Sequence, residues 1–93
     1  MRQILKVHRQ YYERIIAGSK TFEIRYNDRG YQRGDVVHLQ EYDPDAVKLG
    51  EGYSGRQCKA FIGHVTNLWQ KENIVVFSLL SVEEINGSES KKS

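Results

Sequence analysis

Gly18-Ser19-Lys20-Thr21-Phe22-Glu23-Ile24-Arg25, continuing through Tyr26-Asn27-Asp28-Arg29-Gly30-Tyr31-Gln32-Arg33-Gly34-Asp35, is the stretch that organises the rest of the chain. Side chains of a strand alternate every two residues, so Phe22, Ile24 and Tyr26 share one face and Thr21, Glu23 and Arg25 the other. The first set is expected in the core and the second as an outward row of charged and hydrogen-bonding groups. Gly18 suits the left-handed residue that ends a helix. The segment 27–34, with two glycines and Asn27-Asp28, carries turn chemistry.

Upstream, residues 3–8 alternate with Leu5 and Val7 inward and Lys6 and His8 outward, which predicts a first strand. Residues 9–17 place Tyr11, Tyr12, Ile15 and Ile16 at helical spacings, without a good capping residue at the start. Downstream, a strand from Asp35 to about Tyr42 buries Val37 and Leu39 and exposes His38 and Gln40. A long loop from Tyr42 to Gly55 holds Pro44 and three glycines, and a fourth strand over about 56–67 points Cys58, Ala60 and Ile62 inward. The nearly continuous apolar run 73–80 reads as a strand covered on both faces. The predicted core is Leu5, Val7, Ile24, Val37, Leu39, Ile62 and Phe77, with the Tyr12/Ile16 helix face packed on it. Residues 1–85 form one α+β, mainly β domain, and the polar segment 86–93 is expected to be a disordered tail.

Ninety-three residues with 39% hydrophobic content build one modest core. The net charge is only +2, but residues 18–35 carry Lys20, Arg25, Arg29 and Arg33 against Glu23, Asp28 and Asp35. That favours a local anion-binding patch over a basic coat. With one cysteine there is no intramolecular disulfide. The sequence lacks a charged-then-apolar leader and any apolar run of membrane length, so a cytoplasmic protein without a membrane partner is expected.

Several chemistries fail on spacing. A phosphate-binding loop needs glycine directly before the lysine and another at position 14, where this chain has Ser19 and Arg14. His8, His38, His64 and Cys58 have no ligand-like spacing, so neither a metal nor another cofactor is expected, and the histidines read as surface residues. Cys58, among apolar neighbours, reads as a core thiol. Alternating charges on a strand are ordinarily a solvated face. Here, however, Lys20, Arg25, Arg29 and Arg33 are interleaved with Tyr26 and Tyr31, and Tyr42 and Tyr53 lie in another loop. Guanidinium groups grip phosphates and tyrosines stack on unpaired bases, which points to single-stranded RNA or a nucleotide as partner. No helix is basic and long enough for a major-groove probe.

Gly18-x-Lys20-x-x-Glu23-x-Arg25, set between a short helix and a strand and followed by Gly34-Asp35, resembles the signature of the ASCH domain of the PUA-like superfamily. Lys20-Thr21-Phe22-Glu23-Ile24-Arg25, then Asn27-Asp28-Arg29 and later Tyr53-Ser54-Gly55-Arg56, is similar to a small single-domain bacterial and phage group, domain-of-unknown-function family 3850. The match covers about residues 3–82. It implies a small mixed β-barrel with one or two short helices and a cleft that binds RNA or a nucleotide. The binding residues would be Lys20, Thr21, Glu23, Arg25, Asn27, Asp28, Arg29, Arg33, Tyr53 and Arg56. Lys20 and Arg25 would contact anions, Glu23 would accept from base or ribose, and Arg29 and Arg33 would be outer phosphate contacts.

One ASCH clade hydrolyses the amide of acetylated cytidine with a lysine, a threonine and a glutamate, which makes Lys20 and Glu23 the candidate catalytic residues. The clade's threonine position is Glu23 here, and its glutamate lies in a helical insertion with no counterpart in this shorter chain. A binding module is therefore expected ahead of an amidohydrolase on modified cytidine. A protein-interaction module using the sheet edge and the 42–55 loop is the third reading. A monomer is expected.

Overall fold

The computed structural model describes residues 2–45 and 52–85. Its elements run β1 (Arg2–His8), α1 (Arg9–Ala17), β2 (Phe22–Tyr26), β3 (Val36–Tyr42), β4 (Tyr53–Thr66) and β5 (Ile74–Ile85). The strands form one mixed sheet in the order β1-β3-β4-β5-β2. β1 pairs parallel with β3, and every other neighbouring pair is antiparallel. β1 and β2 are thus the two edges of the sheet. Even so, Arg25 on β2 donates to the Lys6 carbonyl on β1 at 2.8 Å, and Arg29, just beyond β2, donates to the Ile4 carbonyl at 2.8 Å. Edge strands that side chains can bridge require a strongly curled sheet, a half-barrel whose open seam is laced by two guanidinium groups. The lacing also occupies edge carbonyls that would otherwise invite another strand.

The concave face holds the core. Leu5, Val7, Val37, Leu39, Cys58, Ala60, Ile62 and Phe77 are buried there, and α1 closes the trough by inserting Tyr12 and Ile15. Helix α1 ends as expected, with Gly18 in the left-handed region at φ 85° and its N–H returned to the last turn. Its start is capped after all, because the Nδ1 atom of His8 accepts from the Gln10 N–H at 3.2 Å. The imidazole thereby substitutes for the usual Ser or Asp. Gly34, at φ 91°, turns the chain so that its N–H reaches the Ile62 carbonyl, while the Ile62 N–H reaches the Asp35 carbonyl. This pair of bonds sets the register of β3 on β4.

Other expectations need correction. β2 is inverted: Phe22, Ile24 and Tyr26 face solvent, while Glu23 is buried. Ile24 is therefore not core. Tyr31 is core instead, its ring 4.8 Å from Phe77. β4 begins at Tyr53, which pairs with Tyr42, so the expected 42–55 loop is shorter at both ends. β5 runs on to Ile85 and is covered on one face only, with Val75, Phe77 and Leu79 buried and Leu80 half exposed. A bulge around Ser81, at φ 56°, shifts the β4–β5 register and carries the strand past the predicted end. One α-helix is present among the described residues, and the tail expected over 86–93 lies outside them.

Candidate functional site

Gly18 frees the chain from α1 and directs Ser19 and Lys20 back over the helix end, where both N–H groups bond to the Arg14 carbonyl at 3.0 Å. The backbone then enters β2, whose inverted setting aims Glu23 into the curl of the sheet. Its carboxylate, 5% exposed as a residue, is held on both oxygens. The Lys20 amine lies 2.6 Å from Oε1, and Nη2 of Arg25 lies 2.8 Å from Oε2. A carboxylate out of water requires such partners, since an unpaired charge there is costly. Lys20 also donates to the Phe22 carbonyl at 2.8 Å, and the same Nη2 of Arg25 reaches the β1 edge. The cluster carries one net positive charge and joins the end of α1, β2 and β1.

Lys20 marks the border between this cluster and an open cleft of about 420 Å³ lined by Tyr11, Arg14, Ser19, Lys20 and Phe22. The ammonium sits 5.5 Å from the Tyr11 ring centre and 5.0 Å from that of Phe22, within cation–π range of both. Two cations and two aromatic walls in a space of this size suit a planar, anionic small group. Tyr11 and Arg14 were not among the sequence candidates. Their signal was the i, i+3 spacing that puts both on the outer flank of α1, one turn before the capping glycine.

The remaining predicted residues fall into two further places. Arg25, Asp28 and Arg29 border a smaller hollow of about 130 Å³ at the seam, together with Leu5, Tyr26 and Tyr31. Asn27 is a turn residue, accepting from the Tyr31 N–H at 3.3 Å and donating its own N–H to the Asn73 carbonyl. Thr21 is exposed, and its carbonyl bonds to the Leu79 N–H. Arg33 is exposed on the turn before β3. Tyr53 and Arg56 are apart from the Lys20 cleft, lining a separate cavity of about 230 Å³ with Gln40, Gly55 and Gln57. There Arg56 is enclosed by carboxylates: it bonds Glu84 at 3.0 Å, pairs with Glu13, and lies 3.7 Å from Glu41, with its guanidinium 5.1 Å over the Tyr12 ring. Its pKa is driven up, chiefly by the bond to Glu13 and against some desolvation. Tyr53 is stacked edge-on against Tyr42 at 5.1 Å.

The interior groups are inert at neutral pH. Burial, reinforced by donation to Glu84 at 3.0 Å, pushes the Tyr12 hydroxyl far above its ordinary value. Burial raises Cys58 to about 11, so the thiol stays protonated. His8 and His38 are half-buried, and His64 is exposed. Partial burial, with Arg2 and Lys59 nearby, lowers His38. Among the described residues no group of three or more His, Cys, Asp or Glu side chains is arranged to hold a metal, and no helix is long and apolar enough to cross a membrane.

The family model described as Domain of unknown function (DUF3850) matches residues 3–79. The chain belongs to this family. It is also similar to an uncharacterized 12.9 kDa protein in the GpA 3′ region of Escherichia phage P2, at 31% identity over 78 residues. That match spans 82% of this chain and 66% of the phage protein. The matched residues take in the whole Lys20–Glu23–Arg25 cluster, the seam, and Arg56 with Glu13 and Glu41, but stop short of Glu84.

Proposed function

We propose that this chain is a binding module for single-stranded RNA or a nucleotide, built on an ASCH-type, PUA-like half-barrel. The observation that carries the reading is the Lys20 amine, shared between a buried carboxylate and a cleft walled by Tyr11 and Phe22. An unpaired base fits between two aromatic walls, and its phosphate meets Lys20 and Arg14. Glu23 fixes the lysine, leaving its outer face for the ligand. Arg25 and Arg29 are engaged on β1 carbonyls, so their first role in this reading is to hold the seam that shapes the site.

Amide hydrolysis is the less supported reading, because the contacts of the Lys20 amine with Phe22 and Glu23 are both ones in which it donates. A general base must instead present a lone pair. The test is anisotropy of a labelled oligouridylate against protein across a salt series. Affinity should fall with salt at a log-log slope of roughly 0.7 per phosphate contacted. Lys20→Ala and Arg14→Ala should each weaken binding and flatten that slope. Absence of binding at low salt, or binding indifferent to both substitutions, would refute the proposal; turnover of acetylated cytidine lost in Lys20→Ala would put hydrolysis in its place.

A further inference from the structure

Trp69 stands 91% exposed at the tip of the β4–β5 hairpin, next to Leu68 at 64%. Its backbone lies in the left-handed region at φ 64°, which a bulky side chain rarely adopts. The hairpin is nevertheless fastened: Gln70 bonds to the Asn67 carbonyl, Ile74 to that of Lys71, and Asn27 of the neighbouring turn to that of Asn73. An indole is therefore held in water by an ordered turn.

The same end of the sheet holds a hollow that an indole could fill. The inversion of β2 turns Ile24 and Tyr26 outward, opposite Val76 and Ile74 in the register, and a cavity of about 300 Å³ opens between Ile24, Arg25, Tyr26 and Ile74. The hairpin bearing Trp69 leads directly into Ile74. Knob and hole thus belong to the same end of the sheet. A two-fold axis passing between them would seat each Trp69 in the other copy's hollow at once, as a self-complementary interface requires.

We propose that this convex end of the sheet is a homodimer interface, with Trp69 of each chain inserted among Ile24, Tyr26 and Ile74 of its mate. Area and charge both favour a second copy as the occupant. With a whole aromatic side chain offering about 150–250 Å², the exposed parts of Ile24, Tyr26, Leu68 and Trp69 amount to on the order of 500 Å² per chain. A standard interface takes about 800 Å² per partner, so this apolar patch would form its centre, with the half-buried Ile74 and Val76 beside it and the remainder drawn from polar surface around it. The one charged group lining the hollow, Arg25, is ion-paired to Glu23 at 2.8 Å and bonded to the Lys6 carbonyl, so two chains of like net charge meet there without opposing unpaired charges.

Trp69 is the sole tryptophan, so its emission reports on the contact without a label. Sedimentation velocity and Trp69 emission are followed together across a dilution series, with no nucleic acid present, so the outcome is independent of the RNA reading. The emission should move to the blue as the dimer forms. Trp69→Phe and Ile24→Asp, both at exposed positions and checked for unchanged unfolding midpoints, should each weaken dimerisation, Ile24→Asp by at least about thirtyfold, the size of a central hot spot. A wild-type chain that sediments as a monomer with water-exposed emission at every concentration overturns the proposal. So does a dimer that neither substitution weakens.

Discussion

Glu23→Gln tests whether the buried carboxylate is what joins the two edges of the sheet. An amide of the same shape offers one acceptor oxygen and one NH2 group. Both partners of Glu23 are donors, so whichever way the amide turns, either Lys20 or Arg25 faces another donor. Removing one member of a fully buried ion pair costs about 3–5 kcal/mol. Here the Lys20 and Arg25 side chains keep 16% and 26% of their exposure and hold carbonyl acceptors at Phe22 and Lys6, so a loss of about 2 kcal/mol is expected. For a domain of this size that corresponds to a fall in Tm of roughly 8–16 °C. Thermal unfolding followed by circular dichroism reads it directly. Below the new Tm, affinity for an oligouridylate should hold or rise, since a negative charge has gone from beside the cations while an acceptor remains. A Tm within about 2 °C of wild type would show that the two cations do not depend on the carboxylate, and the account of the cluster would fail.

Tyr12→Phe keeps the ring in the core but removes its bond to Glu84, and should cost about 1–2 kcal/mol in urea unfolding, with Arg56 still satisfying the carboxylate. Cys58 should resist alkylation in the native chain at pH 8 and react once urea unfolds it, because burial holds the thiol protonated up to about 11. The same shift carries a sign: the unfolded thiol ionises from about 9 while the folded one does not, so stability should fall as pH rises from about 9 to about 11, and Cys58→Ala should lack that component. Arg25→Lys cannot span the Lys6 carbonyl and Glu23 with one planar group, so amide hydrogen exchange in the edge strands β1 and β2 should quicken over wild type while β3 and β4 change little; unchanged exchange in β1 and β2 would refute the lacing.

Most of the framework is legible in the sequence because it follows from local rules. The alternation of β1, β3 and β4 put Leu5, Val7, Val37, Leu39, Cys58, Ala60 and Ile62 on the buried face, and Gly18 ended the helix where its conformational freedom was required. What a single strand cannot disclose is coverage by distant elements. β5 looked buried on both faces, yet with one helix, and that inside the trough, nothing in the described chain covers the convex side. The extension of β5 to Ile85 depended on a bulge that only pairing with β4 creates. The Arg56 cluster draws carboxylates from α1, β3 and β5, and no spacing within one element could announce it.

β2 is the instructive failure. The alternation that points its apolar residues inward holds when one face of a strand is buried by apolar packing. The rule loses because β2 is a five-residue edge strand closing a curl, and the space it faces is occupied by ion pairs and by the carbonyls of β1. Placing Glu23 and Arg25 inside satisfies those groups; placing Ile24 and Tyr26 inside would leave the β1 edge carbonyls unlaced and Lys20 without its carboxylate. The same inversion then creates both faces on which function is proposed, the charged cluster within and the Ile24–Tyr26 hollow without. A strand whose local pattern contradicts its setting sacrifices apolar burial for a polar constellation, and such a conflict points to a site more strongly than the charges of Lys20, Glu23 and Arg25 do alone.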